Sequence, residues 1–498
     1  MSLTDFVTGN GTGAAATGAT ELASGGRLPT RLAIAMAEAS VRHCQWKGAW
    51  KFERWSEGEG DIDLLVDRTA RSRFEAVLTS LGFRMASADP RFALPGVSSW
   101  LALDGDTDRL IHVHVYHQLY VGQPWSTHLR LPIERAVLES AMPGAWFSMP
   151  AVEFELVMLV LHGTLRHGVS DLTRDGDAEW LPALRSRVEH LGGEADPYVV
   201  ADILSEHLPE LGAACFDRCQ AALGQECSPW RRLAVRRELT WRLRAYARRP
   251  SALALVARAG RALPSIAGKR ALPHGRKRLA TGGAVIALAG TDGAGKSTCA
   301  RDLHQWLGAE LRVRHAHLGL PPRGIGSLLA GGVLRGARRI DAWRGRSTPS
   351  PLTAYCELLR AFATARDRRA LYRRVWRFAS DGGIAICERY PVPEEHALVG
   401  PSSAQGVATA ARGRVASLLR RREAAHYARM REPDVLVVLR VSPAIAVGRK
   451  LDEPPAYVHD RACRVANVVW RSMAVMVDAD RPLAEVGRDV RRRVWEAL

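Results

Sequence analysis

This 498-residue chain has few asparagines, few lysines and no long apolar run. Its apolar stretches, such as Leu156–Leu161, are far shorter than the ~18–20 residues that cross a bilayer, so we expect no membrane span. The N-terminal segment lacks the basic start and apolar centre of a secretory signal, which predicts a disordered tail over residues 1–27. Eight scattered cysteines without a CxxC pair favour free thiols and a cytoplasmic location.

Only six of the 70 basic residues are lysines, so 64 are arginines, and this skew is typical of a genome-wide codon bias. The net charge of +18 is therefore weak support for a nucleic-acid partner, which we do not expect. Much of the excess lies between Arg231 and Arg278, where 15 basic residues stand against one acid, Glu238. We favour a solvated basic helix and linker over residues 228–281; a phosphate-rich partner or an anionic membrane surface is the alternative.

Changes of pattern divide the rest of the chain. Residues 28–150 have a mixed α/β pattern, residues 151–227 have helical periodicity, and strands alternate with helices over residues 282–498, which predicts a parallel sheet. For the first of these regions we predict the helices Leu32–His43 and Arg71–Leu81 and the strands Asp61–Val66, Trp100–Leu103 and Leu110–Tyr116.

The clearest motif is GTDGAGKS, residues 290–297, which fits GxxxxGK[ST] at every fixed position. An apolar strand, Ala284–Ala289, precedes it and a helical pattern, Cys299–Leu307, follows it, as the motif requires. Glycines let consecutive backbone N–H groups converge on phosphate oxygens, and the helix start adds positive charge there. We therefore expect ATP, with Mg²⁺, to bind at Gly290, Asp292, Gly293, Ala294, Gly295, Lys296, Ser297 and Thr298. In this set Lys296 would reach the β- and γ-phosphates and Ser297 would offer its hydroxyl to Mg²⁺.

Other classes of P-loop protein fit less well. The two asparagines, Asn10 and Asn467, do not precede a lysine, so the NKxD motif with which GTPases read guanine is missing. No transporter-type LSGGQ segment is present either. These absences favour a kinase or another ATP-binding protein.

Two later motifs complete a resemblance. A predicted strand, Gly383–Cys387, leads into Glu388-Arg389-Tyr390, and a second, Asp434–Val441, leads into a segment that ends at Arg449-Lys450. Together with the DGAGKST segment, these motifs resemble the thymidylate kinase family over residues 282–498. The resemblance implies a P-loop kinase fold, with Arg389 holding the phosphate of the acceptor and Arg449 and Lys450 bordering the lid that closes on ATP. Glu388 would orient the acceptor or a metal-bound water.

The acceptor class stays open in this comparison. The family has Asp where this chain has Glu388, and a Glu-Arg pair also occurs in deoxynucleoside kinases, whose acceptor is a hydroxyl. His315–Pro322 replaces the family's segment for the phosphate acceptor. The expected partner is therefore a small molecule: a nucleoside monophosphate, a nucleoside or a sugar.

A second candidate site motif, after the GxxxxGK[ST] loop, is GDIDLLVD, residues 60–67. On a strand Asp61 and Asp63 point to the same face, where two carboxylates can hold Mg²⁺ against a triphosphate. This arrangement resembles the nucleotidyltransferase superfamily, whose Asp-x-Asp metal pair follows a Gly-Ser loop. Here Lys47-Gly48 stands in place of that Gly-Ser pair.

The later strand in that region offers histidines where the superfamily has a third carboxylate. His112 and His114 alternate with apolar residues and face one side, either as ligands or as polar groups of a degenerate site. An active transferase, a binding or vestigial module, and a mere acidic strand end all remain open.

The sequence thus predicts an α/β protein: a C-terminal P-loop domain with a parallel sheet, preceded by an α+β nucleotidyltransferase-like domain and a helical segment. The expected activity is ATP-dependent phosphoryl transfer with Lys296, Glu388 and Arg389 as catalytic residues. Ser297 and Glu388 are the expected metal ligands, with Asp61 and Asp63 in the first domain. Three alternatives are a nucleotidyltransferase regulated by an ATP-binding domain, an ATP-binding switch and a nucleic-acid-stimulated ATPase. A homodimer is a candidate assembly.

Overall fold

The computed structural model describes residues 27–47, 60–88, 93–122, 129–166, 180–224, 227–248, 276–392, 408, 410–450, 453–470 and 473–498. The tail predicted over residues 1–27 lies outside the described residues except at its last position, as does most of the predicted linker. The chain forms two compact units, Met1–Gly275 and Arg276–Leu498, and the division falls inside the stretch predicted as basic helix and linker.

The first unit combines a mixed sheet with helices. Its described strands are β1 His43–Lys47, β2 Asp61–Val66, β3 Arg84–Ser87, β4 Val97–Leu103, β5 Leu110–Tyr116, β6 Leu119–Val121 and β7 Leu129–Leu131. Its described helices are α1 Leu28–Glu38, α2 Arg71–Ser80, α3 Glu134–Glu139, α4 Val152–Arg166, α5 Trp180–Glu194, α6 Pro197–His207, α7 Ala213–Leu223 and α8 Pro229–Arg242, with 3₁₀ turns at Arg68–Ala70 and Leu243–Tyr246. The predicted basic helix is α8.

The sheet of this unit runs in the order β1-β2-β5-β4-β3. Only the β2–β5 pair is parallel among these strands as the structure describes them; the other pairs are antiparallel. Successive side chains of β2 face opposite ways. One face of β2 packs against α1 and α2 through Ile62, Leu64 and Val66. The other face packs through Leu65 against α4 and the helices that follow it in the chain. The sheet is therefore covered by apolar side chains on both faces.

The helix predicted over Leu32–His43 was placed too far along the chain. The observed helix is Leu28–Glu38, with Pro29 in its first turn, where proline favours a helix start. Ser40 then has φ = +49°, a left-handed conformation that ends the helix. His43 belongs to β1 instead, a short strand with little apolar periodicity to reveal it.

The second unit contains the predicted parallel sheet. Its described strands are β8 Arg278–Leu279, β9 Ala284–Gly290, β10 Val313–His317, β11 Ile384–Glu388, β12 Val435–Arg440 and β13 Val475–Asp478. Its described helices are α9 Lys296–Glu310, α10 Ile325–Trp343, α11 Pro351–Ser380, α12 Arg414–Tyr427, α13 Pro443–Arg449, α14 Pro455–Ala466 and α15 Leu483–Ala497.

The sheet order is β10-β11-β9-β12-β13, and each neighbouring pair is parallel. The central strand β9 is buried along its whole length, as its continuous apolar run predicts. Because strands of a parallel sheet end at the same edge, the segments after β9, β10, β11 and β12 gather there.

All eight cysteines lie in described residues, and each is a free thiol. Among the helices that the structure describes, none combines the length and the apolar character that crossing a membrane would require.

Asp434, the residue directly before β12, connects β12 to β9 through two hydrogen bonds. Its carboxylate accepts a hydrogen bond of 2.7 Å from the backbone N–H of buried Val285, and its own N–H donates to the Val285 carbonyl at 2.9 Å. Asp434→Ala removes a charged acceptor from a buried donor, so the free energy of unfolding should fall by about 1–3 kcal/mol. Denaturant unfolding measures this loss.

Asp434→Asn is the matched control, because the amide keeps an oxygen acceptor in the same position and should lose less. Identical unfolding midpoints for Asp434→Ala and the native chain would contradict this role for the carboxylate.

Candidate functional site

A cavity of about 530 Å³ opens at the carboxyl edge of the parallel sheet. It brings together most of the predicted site residues of the second unit. Those that line it are Asp292, Gly293, Ala294, Gly295, Lys296, Ser297, Thr298, Glu388, Arg389, Arg449 and Lys450. Gly290, the remaining one, ends β9 behind the cavity.

The loop between β9 and α9 takes its shape from close backbone contacts. Gly290, Gly293 and Gly295 have φ values of +133°, +83° and +88°, which favour glycine. A Cβ on Gly290 would lie 2.5 Å from the Leu439 carbonyl oxygen, and one on Gly293 would lie 2.8 Å from that of Ala446. Gly290 and Gly293 are therefore required for two reasons: a side chain would collide with neighbouring backbone, and the positive φ angle favours glycine.

Lys296 is the first residue of α9, and only 8% of it is exposed. Its ammonium lies under the loop, donating to the carbonyls of Gly290 at 2.8 Å and Thr291 at 2.6 Å. The Asp292 carboxylate lies 3.8 Å away. The lysine is thus held at the floor of the cavity, beside the backbone that turns around it.

Asp292 is a buried carboxylate surrounded by cations. One of its oxygens accepts a 2.5 Å hydrogen bond from Arg389, and the other lies 2.8 Å from an Nη atom of Arg461 on α14. Sequence reasoning missed Arg461, because it lies 169 positions further along the chain in a segment without a recognisable motif. Asp292 therefore links the loop to the end of β11 and to α14.

Glu388, the last residue of β11, faces Ser297 and His315. The Ser297 hydroxyl donates to one of its carboxylate oxygens, and Nε2 of His315 lies 2.8 Å from the other. Burial opposes ionisation of this carboxyl, but the hydrogen bonds from His315 and Ser297 and the nearby histidine charge hold its pKa at about 2. Glu388 is therefore an anion at neutral pH.

The register of the parallel sheet explains why the histidines of β10 lie beside Glu388. His317 is paired with Glu388 in the parallel register, so the ends of β10 and β11 lie side by side. His315, two residues earlier, faces the same way as His317, which places its ring beside the Glu388 carboxylate.

Arg389 follows β11 with φ = +50°, a left-handed conformation. A Cβ on Gly319 would lie 2.6 Å from Cδ of Arg389, so the segment after β10 passes close to the arginine only because it has glycine there. Arg368 of α11, buried, fixes this segment by donating to the carbonyl of Leu318 at 2.7 Å and to that of Gly319 at 3.2 Å. No motif pointed to Arg368.

Arg449 and Lys450 border the cavity on the side of β13. Arg449 ends α13 and donates to the Ala479 carbonyl at 2.8 Å, and the Lys450 ammonium lies 3.6 Å from a Glu453 carboxylate oxygen. Arg481, which the sequence did not single out, also lines the cavity. This side of the cavity therefore carries three basic side chains, Arg449, Lys450 and Arg481, and one acidic side chain, Glu453.

The predicted carboxylate pair of the first unit also lies beside the two histidines of β5. The parallel register pairs Asp61 with His112 and Asp63 with His114, so all four side chains share one face. Nδ1 of His112 lies 2.6 Å from Oδ1 of Asp61, and Nδ1 of His114 lies 3.9 Å from Oδ2 of Asp61 and 3.4 Å from Oδ1 of Asp63.

The two carboxylates differ in their other partners. The Lys47 ammonium lies 3.2 Å from Oδ1 of Asp63 and donates to the Tyr116 hydroxyl at 3.2 Å. Although burial opposes its charge, the ammonium of Lys47 and the hydrogen bond from His114 hold the pKa of Asp63 below its usual value. Asp63 is therefore neutralised by a lysine, whereas the side chain of Asp61 is 46% exposed. Gly48, the partner of Lys47 in the expected loop, lies outside the described residues.

Comparison with known proteins identifies an ATP-binding relative. The uncharacterized ATP-binding protein YghR of Escherichia coli strain K12 is 26% identical to this chain over 220 residues, which are 42% of this chain and 86% of YghR. The protein of the same name in E. coli strain O6:H1 matches to the same extent. No protein-family model matches the chain. The name of YghR states ATP binding for that protein and specifies no reaction.

Proposed function

We propose that the Arg276–Leu498 unit catalyses Mg²⁺-dependent transfer of a phosphoryl group from ATP to a small molecule that carries a phosphate. The observation that carries this proposal is the convergence of the Asp292–Thr298 loop, Glu388 and Arg389 on one cationic cavity at the carboxyl edge of the parallel sheet. Phosphoryl transfer depends mainly on positioning and charge neutralisation, which such an arrangement supplies.

The loop and the start of α9 are suited to the triphosphate. Backbone N–H groups at a helix N-terminus favour anions, and the positive φ angles of Gly293 and Gly295 turn the backbone at this point. Lys296, with its ammonium beneath the loop, neutralises charge on the β- and γ-phosphates once it exchanges loop carbonyls for phosphate oxygens.

Ser297 and Glu388 have the donor chemistry that Mg²⁺ prefers. A hydroxyl oxygen and an ionised carboxylate are in direct contact, and hard oxygen ligands with retained waters are usual for Mg²⁺ on nucleotides. Bound there with ATP, Mg²⁺ supplies neutralisation of phosphate charge. His315 holds Glu388 in the orientation required for this contact.

Arg389 is suited to the acceptor. Its guanidinium lies at the end of β11, next to the loop, and the bond to Asp292 fixes its direction. A planar guanidinium matches the oxygens of a phosphate group better than an ammonium does. We therefore favour a phosphate-bearing acceptor over a plain hydroxyl compound.

Three further facts support a kinase of the nucleotide-kinase type. The relative YghR is described as ATP-binding, the motifs resemble those of thymidylate kinases, and Asp292 links the loop directly to Arg389. In the first unit we propose a binding or vestigial module rather than an active transferase, because Asp63 is paired with Lys47 and histidines stand in place of the third carboxylate.

An ATP-consumption screen with the full-length chain tests the proposal. Nucleoside monophosphates, nucleosides, sugars and sugar phosphates are offered with ATP and Mg²⁺, and ADP formation is measured. We expect ADP to form in proportion to a phosphate-bearing acceptor, with Lys296→Ala as the background control and no stimulation by duplex DNA.

The other outcomes separate the alternatives. ADP formation without any acceptor would indicate a switch or simple ATPase, and stimulation by DNA would indicate a nucleic-acid-dependent enzyme. Incorporation of nucleotide from a triphosphate would point to the transferase. A preference for acceptors without phosphate would reassign Arg389.

A further inference from the structure

Asp61, His112 and His114 form a cluster that the phosphoryl-transfer site does not use. Each of the three residues offers one ligand atom, a carboxylate oxygen of Asp61 or a ring nitrogen of a histidine, and these three atoms all lie within 4.8 Å of one another. The cluster is built on adjacent parallel strands, so backbone hydrogen bonds fix the separation of its side chains.

The spacing matches what a tetrahedral metal ion requires. Bonds of ~2.1 Å to nitrogen and oxygen place neighbouring ligand atoms roughly 3.4 Å apart. The observed Nδ1–oxygen distances from Asp61 are 2.6 Å to His112 and 3.9 Å to His114, on either side of that value. Small rotations of the side chains are enough to bring three ligands around one ion.

The two rings are already ordered. His112 is 2% exposed, and its ring centroid lies 4.1 Å from that of His114 in an edge-on arrangement. Asp61, by contrast, has an exposed side chain, which leaves the cluster accessible from solvent. A buried and a partly exposed imidazole, held in edge-on contact beside an accessible carboxylate, are an arrangement that binds an ion without refolding the site.

The donor set selects the kind of metal. Two imidazole nitrogens and one carboxylate suit first-row transition ions, whereas Mg²⁺ prefers oxygen ligands alone. The second carboxylate, which a magnesium pair would need, is Asp63, and the ammonium of Lys47 lies against it. We propose that Asp61, His112 and His114 bind a divalent first-row transition ion of the Zn²⁺ type, with Asp63 outside the ligand set.

With three protein ligands, a zinc-type ion keeps at least one position for water or a ligand. The site would thus be an open metal centre of the first unit.

Metal binding by the full-length chain tests the proposal. The protein is treated with EDTA, dialysed, and titrated with Zn²⁺ by calorimetry and with Co²⁺ by absorbance, with Mg²⁺ in excess to occupy sites made of oxygen ligands. We expect one equivalent to bind, and the Co²⁺ complex to show d–d bands without the thiolate bands that cysteine ligands would add.

Variants assign the ligands. His114→Ala and Asp61→Asn should each weaken binding at least ~100-fold, beyond the loss typical of residues that only support a ligand. Asp63→Asn should weaken it by less, about tenfold, because Asp63 contacts His114 but is outside the ligand set. His190→Ala is the matched control, since this exposed histidine pairs only with Glu194 on its own helix among the described residues.

Thermal unfolding of the EDTA-treated variants checks the fold, and added Zn²⁺ should raise the melting temperature of the native chain but not that of His114→Ala. The proposal is overturned if the native chain binds no equivalent of Zn²⁺. It is also overturned if folded His114→Ala binds as tightly as the native chain, or if Asp63→Asn loses as much affinity as Asp61→Asn.

Discussion

Replacing Lys296 with alanine should lower ATP turnover by about 10²–10³-fold or more and weaken ATP binding. The ammonium is the buried cation at the floor of the cavity, 2.6 and 2.8 Å from two loop carbonyls. Alanine cannot supply charge to the β- and γ-phosphates, and Lys450, which lines the same cavity, is paired with Glu453. Steady-state kinetics and nucleotide titration measure the two effects.

The fold should survive this substitution, because the loop is also fixed by the approach of Gly290 to Leu439 and of Gly293 to Ala446. Lys277→Ala is the control: its ammonium is partly buried against Glu310 at 2.8 Å, away from the cavity, and its loss should leave turnover unchanged. A Lys296→Ala protein with native ATP consumption would refute the kinase proposal.

Arg389→Ala and Glu388→Gln should have different consequences, which together identify the acceptor. For a phosphate-bearing acceptor, the loss of Arg389 should raise the KM of that acceptor by about 10²-fold and leave the KM of ATP nearly unchanged. Glu388→Gln should act mainly on the Mg²⁺ requirement, because a phosphate is already ionised and needs no general base. Kinetics at several Mg²⁺ concentrations measure both.

A hydroxyl acceptor reverses this expectation. Glu388 would then orient the hydroxyl or accept its proton, and its loss would cost about 10²–10⁴-fold in kcat at every Mg²⁺ concentration. That result, together with a near-normal acceptor KM for Arg389→Ala, would contradict the phosphate-bearing acceptor. Arg440→Ala, an exposed arginine at the end of β12, is a suitable control for loss of one surface charge.

The low pKa of Glu388 also determines how its contribution to the stability of the fold changes with pH. Its pKa is about 2 in the folded chain against an ordinary value of 4.5, so its contacts stabilise the fold fully above about pH 4.5 and are lost as the pH falls towards 2. A change of activity between pH 5 and pH 8 therefore belongs to another group.

The sequence predicted those elements that are determined by residues close together in the chain. The apolar runs of β2, β5, β9, β11 and β12 were recognisable because buried strands need such runs. The nucleotide loop was recognisable for a similar reason, since its glycines, Lys296 and Ser297 are contiguous in the sequence.

Contacts between distant segments were not predictable in this way. Arg461 reaches Asp292, and Arg368 reaches the carbonyls after β10, only because tertiary packing brings α14 and α11 to the carboxyl edge. The pairing of Lys47 with Asp63 depends on β1, a short strand of mixed polarity with no periodic signal. The left-handed turn at Ser40 is equally invisible, since serine does not require that conformation.

The backbone conformation of Arg389 bears on which residue evolution would retain at this position. A side chain held at φ = +50° costs the fold roughly 1–2 kcal/mol that glycine would not. Selection for backbone geometry alone would therefore favour glycine here, whereas the guanidinium, which pairs with buried Asp292 and lines the cavity, favours arginine. In descendants of this chain, glycine at position 389 would thus indicate that neither the pairing with Asp292 nor a ligand of the guanidinium is still needed.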